Sequence, residues 1–309
     1  MRVMGEGLRF PEGPVMLKDG AGVAVVELAS GAITAVDFDG NKSRIASTGG
    51  SPNGLAWGPD GMLYVCNNGG LNWIEQDGLL RAHGQGDDYT GGRIERVDPR
   101  TGDVTLLYDR VGDHTLSGPN DIVFPPQGSP SDGGFWFTDI GKNRPRDRDN
   151  GGVYWATIDG SQIIEAAYPV GGGANGIGLS PDGRTLYVAE TETARIWTWD
   201  IEGPGVLRKD PWPVPHGGRM LCQLPGYTRL DSLAMTAAGN VVVAALFSST
   251  ITTVSPSGEI LDALPVPDKM PTNICFGGED MSTAYITLST TGRLVEMPWR
   301  EPGEPLPYG

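Results

Sequence analysis

One short pattern occurs six times along this chain, and no other feature restricts its fold as strongly. The clearest copy is Ala174 to Thr191, ANGIGLSPDGRTLYVAET, in which Asn175-Gly176 opens an alternating apolar run. Pro181-Asp182-Gly183 supplies turn residues, and a second apolar run follows from Thr185. Ser51 to Asn67, Pro119 to Asp139, Leu230 to Ala245, Pro271 to Leu288 and Phe10 to Val26 align with it, placing Asn53, Asn120, Asp231, Asn273 and Glu12 where that copy has Asn175. These marker residues lie 41 to 67 residues apart, about 52 on average. A repeat of that length, built from period-two alternation and frequent turns, excludes helix-pair solenoids and matches one four-stranded propeller blade. The expected fold is therefore all-β: a six-bladed β-propeller of four-stranded blades around a central channel, forming one domain over residues 1–309. Blade six is one strand short in sequence order, and the N-terminal segment MRVMGEGLRF is the expected closing strand, since closure removes open sheet edges.

Composition agrees with this architecture. The 47 Gly and 25 Pro fall at turns rather than in tracts, and eight Trp provide apolar bulk for packing between blades. A net charge of −15 excludes a nucleic-acid partner and an anionic membrane surface. Neither an N-terminal apolar leader nor an 18-residue apolar run occurs, so the expected location is cytoplasmic. Cys66, Cys222 and Cys275 sit singly in strand-like runs and read as packing thiols. Two segments interrupt the repeat, Asn68 to Thr90 in blade two and Gly141 to Gly152 in blade three; both are expected to rim a binding site.

The chemistry lies at the markers. Inner strands of a propeller line its channel, so Glu12, Asn53, Asn120, Asn175, Asp231 and Asn273 should form a ring of side-chain oxygens. Two carboxylates and four amides, without His or Cys, suit a hard cation, and Ca²⁺ above others. Rival chemistries find little support. The chain has no GxSxG or HExxH, His83, His114 and His216 fall in loop-like segments, and GGGANG (Gly171 to Gly176) matches GxGxxG but opens a strand rather than a helix.

The motifs Glu12-Gly13-Pro14, Pro119-Asn120-Asp121, Asn175 to Thr191 and Asp231 to Asn240 resemble, in order, those of the SMP-30/gluconolactonase/LRE-like family. The resemblance covers nearly the whole chain. It implies a divalent metal, commonly Ca²⁺, held in the channel by Glu12, Asn120, Asn175 and Asp231, with Ser232 a possible further oxygen, and hydrolysis of a lactone. Its mechanism would polarise the lactone carbonyl on the metal and activate water through Asp231 or a metal-bound hydroxide. Asn53, Trp73, Tyr89, Asp139 and Asn273 are the expected substrate contacts. The chain departs from sugar-lactone members at Gly118, where they carry an Arg two residues before the Asn of the third motif. That departure leaves room for a smaller or less hydroxylated lactone. Alternative readings are a promiscuous metal-dependent esterase or phosphotriesterase, or a non-enzymatic binding platform with a structural calcium.

Overall fold

A computed structural model describes all residues, 1–309. It contains no helix, hence none long and apolar enough to cross a membrane. Six antiparallel sheets form the blades of a β-propeller, and they begin at Pro11–Met16, Pro52–Trp57, Pro119–Val123, Ala174–Leu179, Arg229–Met235 and Pro271–Gly277. Each of these inner strands contacts the next, and the last contacts the first, so the six close into a ring. Blade six is built from Pro271–Gly277, Thr283–Leu288 and Arg293–Pro298, with Arg2–Gly5 paired antiparallel along the outer edge of the third strand. The two ends of the chain thereby share one sheet, and that edge is not left open.

The core is divided among the blades. Six apolar clusters occupy the six junctions between neighbours. The junction of blades three and four is the largest, and Trp136 and Trp199 are fully buried there. The junction of blades six and one includes Met4 from the N-terminal strand. Burying such side chains contributes about 1.5–3 kcal/mol each, so closure of the ring is driven apolar face against apolar face.

All six inner strands carry a register shift near their start. In blade two Pro52 pairs with Asn67 and Leu55 with Val65, so that Asn53 and Gly54 together oppose Cys66. This bulge lets adjacent inner strands approach to backbone contact. A Cβ on Gly54 would stand 2.6 Å from the Asn120 carbonyl oxygen, and one on Gly176 would stand 2.6 Å from that of Asp231. The Gly of each Asn-Gly pair therefore serves close approach between strands, and the turn role lies elsewhere.

At the end of the channel away from the markers, the C-terminal segment crosses from blades five and six toward blades two and three. Glu304 N donates to Met235 O (2.9 Å) and Gly303 N to Met281 O (2.9 Å), and Tyr308 stands edge-on to Phe124 at 5.6 Å. Beneath the marker layer it encloses a largely apolar cavity of about 110 Å³.

Deleting Met1–Gly5 leaves the edge of Arg293–Pro298 unpaired and removes Met4 from its cluster; a loss of about 3 kcal/mol or more in urea-denaturation stability is expected. Gly176→Ala should cost about 1–3 kcal/mol by overpacking, and a variant as stable as the parent would contradict the close approach of blades four and five.

Candidate active site

The marker layer is set by a device repeated in four blades. The last residue of the second strand faces the residue before the marker and accepts hydrogen bonds from the loop leading into the inner strand. Glu27 accepts from Arg9 N (2.7 Å), Asn67 from Ser51 N (3.1 Å), Asp139 from Ser117 N and Gly118 N (both 2.8 Å) and Glu190 from Gly172 N (2.6 Å). The loops are pinned, and the inner strands start at one level.

Glu12, Asn53, Asn120 and Asn175 follow the residue so paired, and Asp231 follows Leu230, which pairs with Ala245, one residue before the end of its second strand. Blade six differs. Pro271 pairs with Leu288 and Ile274 with Ile286, which puts Thr272 at the marker position and Asn273 one residue later. Thr272 is occupied with Thr287, a neighbour in its own sheet (2.9 Å). Asn273 still reaches the ring, where its Nδ2 donates to Glu12 Oε2 (2.9 Å). In the same second position, blades three and five carry Asp121 and Ser232 where blades one, two and four have Gly13, Gly54 and Gly176. Asp121, buried at 7% exposure, accepts from Ile122 N (2.9 Å) and from Ile177 N of the neighbouring blade (3.4 Å). Sequence reasoning took Asp121 only as part of a motif; the break in the Asn-Gly pattern was the available signal.

Three carboxylates thus share one buried layer without a cationic partner. Burial raises Glu12 well above the usual carboxylate range, with Asp231 adding to the shift. Burial raises Asp231 to about 7, which the Asn175 side chain opposes and Asp121 reinforces, and burial raises Asp121 to about 7. Such a layer stabilises a bound cation, because withdrawing charges from water without pairing them is costly. Two amides point to the same conclusion. Asn120 Oδ1 and Asn175 Oδ1 are buried without any hydrogen-bond partner, and Asn175 Nδ2 is fixed on Thr191 Oγ1 (3.1 Å). Buried orphan acceptors are rare in folded proteins. No three His, Cys, Asp or Glu, these carboxylates included, are placed to hold a metal ion by themselves; Glu12 and Asp231 are joined by the two amide oxygens, a set that fits a hard divalent cation.

The open end of the channel is shaped by both insertions. Residues of the first form a hairpin, Leu71–Gln76 with Leu79–Gln85, where the sequence showed little alternation. It leans across the mouth: Leu80 N donates to Thr290 O of blade six (3.0 Å), Gln85 N donates to Asn143 O of the second insertion (2.9 Å), and Trp73 packs on Phe10 at 5.2 Å. Tyr89 is spent on support, donating to Ser117 O (2.6 Å). Asp139 also supports, with both oxygens taken by backbone amides including Gly141 N (2.8 Å). Lys142, unremarked in the sequence, is almost fully buried; its Nζ donates to Asn68 Oδ1 and to Gly70 O (2.9 Å) and lies 4.5 Å from the Tyr89 ring centre. Burial pushes its ammonium down to about 7 against the pull of Asp139 and Asp149. Gly118 has no space for a side chain, since a Cβ would meet Gly141 O at 2.7 Å and Asn68 Nδ2 at 2.8 Å. His83 and His114 are exposed, whereas His216 is buried edge-on to Trp197 at 4.6 Å. The three thiols are free, Cys66 and Cys275 buried and Cys222 half-buried.

The chain is 25% identical over 254 residues to a 6-deoxy-6-sulfogluconolactonase of Pseudomonas putida, covering 68% of this chain and 80% of that protein. It is 25% identical over 254 residues to a gluconolactonase of Zymomonas mobilis, covering 77% of this chain and 60% of that one. A diisopropyl-fluorophosphatase of Loligo vulgaris is 27% identical over 206 residues, covering 61% of this chain and 60% of that one. Two solved structures share the fold: a gluconolactonase from Xanthomonas campestris (TM-score 0.72, 21% identity, 96% of this chain and 88% of that one) and a calcium-binding regucalcin from Agrobacterium tumefaciens (0.71, 18%, 99% and 97%). The family model described as SMP-30/Gluconolactonase/LRE-like region matches residues 10–290. The chain belongs to the SMP-30/gluconolactonase/LRE-like family.

Proposed function

We propose that this protein is a divalent-metal-dependent lactonase, with Ca²⁺ its preferred ion and Glu12, Asn120, Asn175 and Asp231 the residues that hold it. The observation that carries this reading is the pair of unpartnered amide oxygens on Asn120 and Asn175, buried beside carboxylates that have no counter-charge. A cation bound there would act as a Lewis acid toward an ester carbonyl. Two relatives named as gluconolactonases support the lactone, and the likeness to a calcium-binding regucalcin supports the ion.

Asp231 carries the base role. In hydrolysis the water oxygen bonds to the acyl carbon while its proton passes to the Asp231 carboxylate. The ring C–O bond then breaks, and that proton is returned to the departing alkoxide. Asn53 and Asn273 orient the ester from the marker layer, and Trp73 covers it from the hairpin. Tyr89 and Asp139 act through the loop at Ser117 and Gly118, which they hold. Without a guanidinium at position 118, recognition of sugar hydroxyls from blade three is weakened, which favours a lactone with few hydroxyls. The likeness to a diisopropyl-fluorophosphatase favours one second reading, in which the same site hydrolyses phosphorus esters. Three free thiols suit work in the cytoplasm.

Treatment with EDTA should abolish turnover across a lactone panel followed by pH drift, and added Ca²⁺ should restore it and raise the thermal midpoint. A metal-loaded protein that opens no lactone or ester would overturn the enzyme reading. Asp231→Ala should eliminate activity, and Asp231→Asn should lower kcat by about 100-fold or more; an Asp231→Asn protein with unchanged Ca²⁺ affinity and unchanged rate would remove Asp231 as the base.

A further inference from the structure

Two residues before each marker, where the loops enter the inner strands, lies a second tier. Its members are Phe10, Ser51, Gly118, Gly173, Arg229 and Met270. The tier is divided in character. Toward blades one and six it is apolar, with Phe10 under Trp73 and Met270 partly buried beside them. Toward blades four and five it is cationic. Arg229 belongs to the strand itself. At Gly173 a Cβ would stand 2.9 Å from Ile140 Cγ1 and 3.1 Å from a guanidinium nitrogen of Arg148 of the second insertion, so Arg148 lies beside that place in the tier.

Both arginines share one acid. Arg229 Nη2 lies 2.7 Å from Glu192 Oε2, and Arg148 Nη1 lies 4.0 Å from Glu192 Oε1. Neither guanidinium has any other polar partner in the chain, so two cations face one carboxylate and most of their N–H donors are free. The group is held in place. Leu230 N donates to Thr191 O (3.2 Å), joining the Arg229 strand to the Glu192 loop. Arg229 also lies 5.5 Å from the ring centre of Phe247, which is itself stacked on Tyr227 at 5.6 Å. Phe247 has a φ of 68°, a left-handed backbone that aromatic residues seldom adopt and that clusters at functional sites. This sector stays open to solvent, since the hairpin leans over blades one and six instead; Arg148, Arg229 and Glu192 side chains are 33%, 37% and 26% exposed above a buried marker layer.

We propose that Arg229 and Arg148 form a subsite for an anionic substituent, a carboxylate or sulfonate, on the lactone ring. This rests on the lactonase reading. An ester whose carbonyl lies at the marker layer carries a substituent on the far side of its ring at about the height of the second tier, where a planar guanidinium can grip an oxyanion through two parallel hydrogen bonds. The cations of the tier come from blade five and the second insertion, while the corresponding place in blade three is filled by Asn68 and Gly141.

The test compares γ-butyrolactone bearing a γ-carboxylate, its carboxamide, and a methylsulfonate analogue as substrates of the Ca²⁺-loaded protein. The reading is the ratio of kcat/KM for charged over neutral substrate. The parent should favour an anionic lactone by about tenfold or more, and whichever of carboxylate and sulfonate gives the larger ratio identifies the group. Arg229→Gln should bring the ratio near one, Arg229→Lys should keep part of it, and Glu192→Gln should raise it by releasing both guanidiniums. A ratio near one in the parent, or an unchanged ratio in Arg229→Gln, overturns the subsite. If no lactone is opened at all, the lactonase reading fails by itself, and calorimetric binding of cyclopentanecarboxylate decides the subsite. Binding weakened about tenfold in Arg229→Gln then supports it, and equal or absent binding in the parent overturns it.

Discussion

Everything in this protein depends on bringing six inner strands close enough to touch. At Gly54 and Gly176 the neighbouring backbone lies where a side chain would begin, and that closeness gathers side chains from six distant stretches of sequence into one narrow layer. The same closeness strips water from Glu12, Asp121 and Asp231 without supplying a counter-charge. Apolar clusters at the six junctions provide the free energy for this. The ring is therefore stable as a scaffold and electrostatically incomplete at its centre, a combination expected where binding rather than folding supplies the missing charge.

Much of this was legible in the repeat. Five of the six markers occupy one register position, because the pattern of a polar residue, a small residue and an alternating run reflects the bulge that recurs in the sheets. The sixth misled for a physical reason. In Pro271-Thr272-Asn273 both candidate residues are polar, and only pairing with Leu288 reveals which of them stands at the marker. Asp121 and Lys142 were hidden because their roles arise between blades, from partners such as Ile177 and Asn68 that no local pattern connects to them. Tyr89 and Asp139 were singled out as substrate contacts on position alone, and their polar groups are engaged with the backbone at Ser117 and Gly118.

The two ends of the channel divide the work. Near the markers, loops in four blades are fixed by the acid or amide that ends the second strand, which lets insertions of different length rise above a constant floor. The hairpin over blades one and six and the arginines over blades four and five differ in chemistry because nothing in the ring requires them to match. Variation in what this fold accepts can be sought in that upper tier, while the layer beneath it is constrained by all six blades together.

The C-terminal segment has a kinetic consequence. By crossing from Met235 and Met281 to Phe124 it turns a tunnel into a blind well. Traffic through a blind well is strictly alternating: whatever leaves must use the mouth by which the next molecule arrives. On the proposed reading, opening a lactone would create a new carboxylate, so the departing product would be more negative than the molecule that came in. It would start among buried acids and pass arginines on the way out, and the balance between that repulsion and that attraction would set how long the well stays occupied.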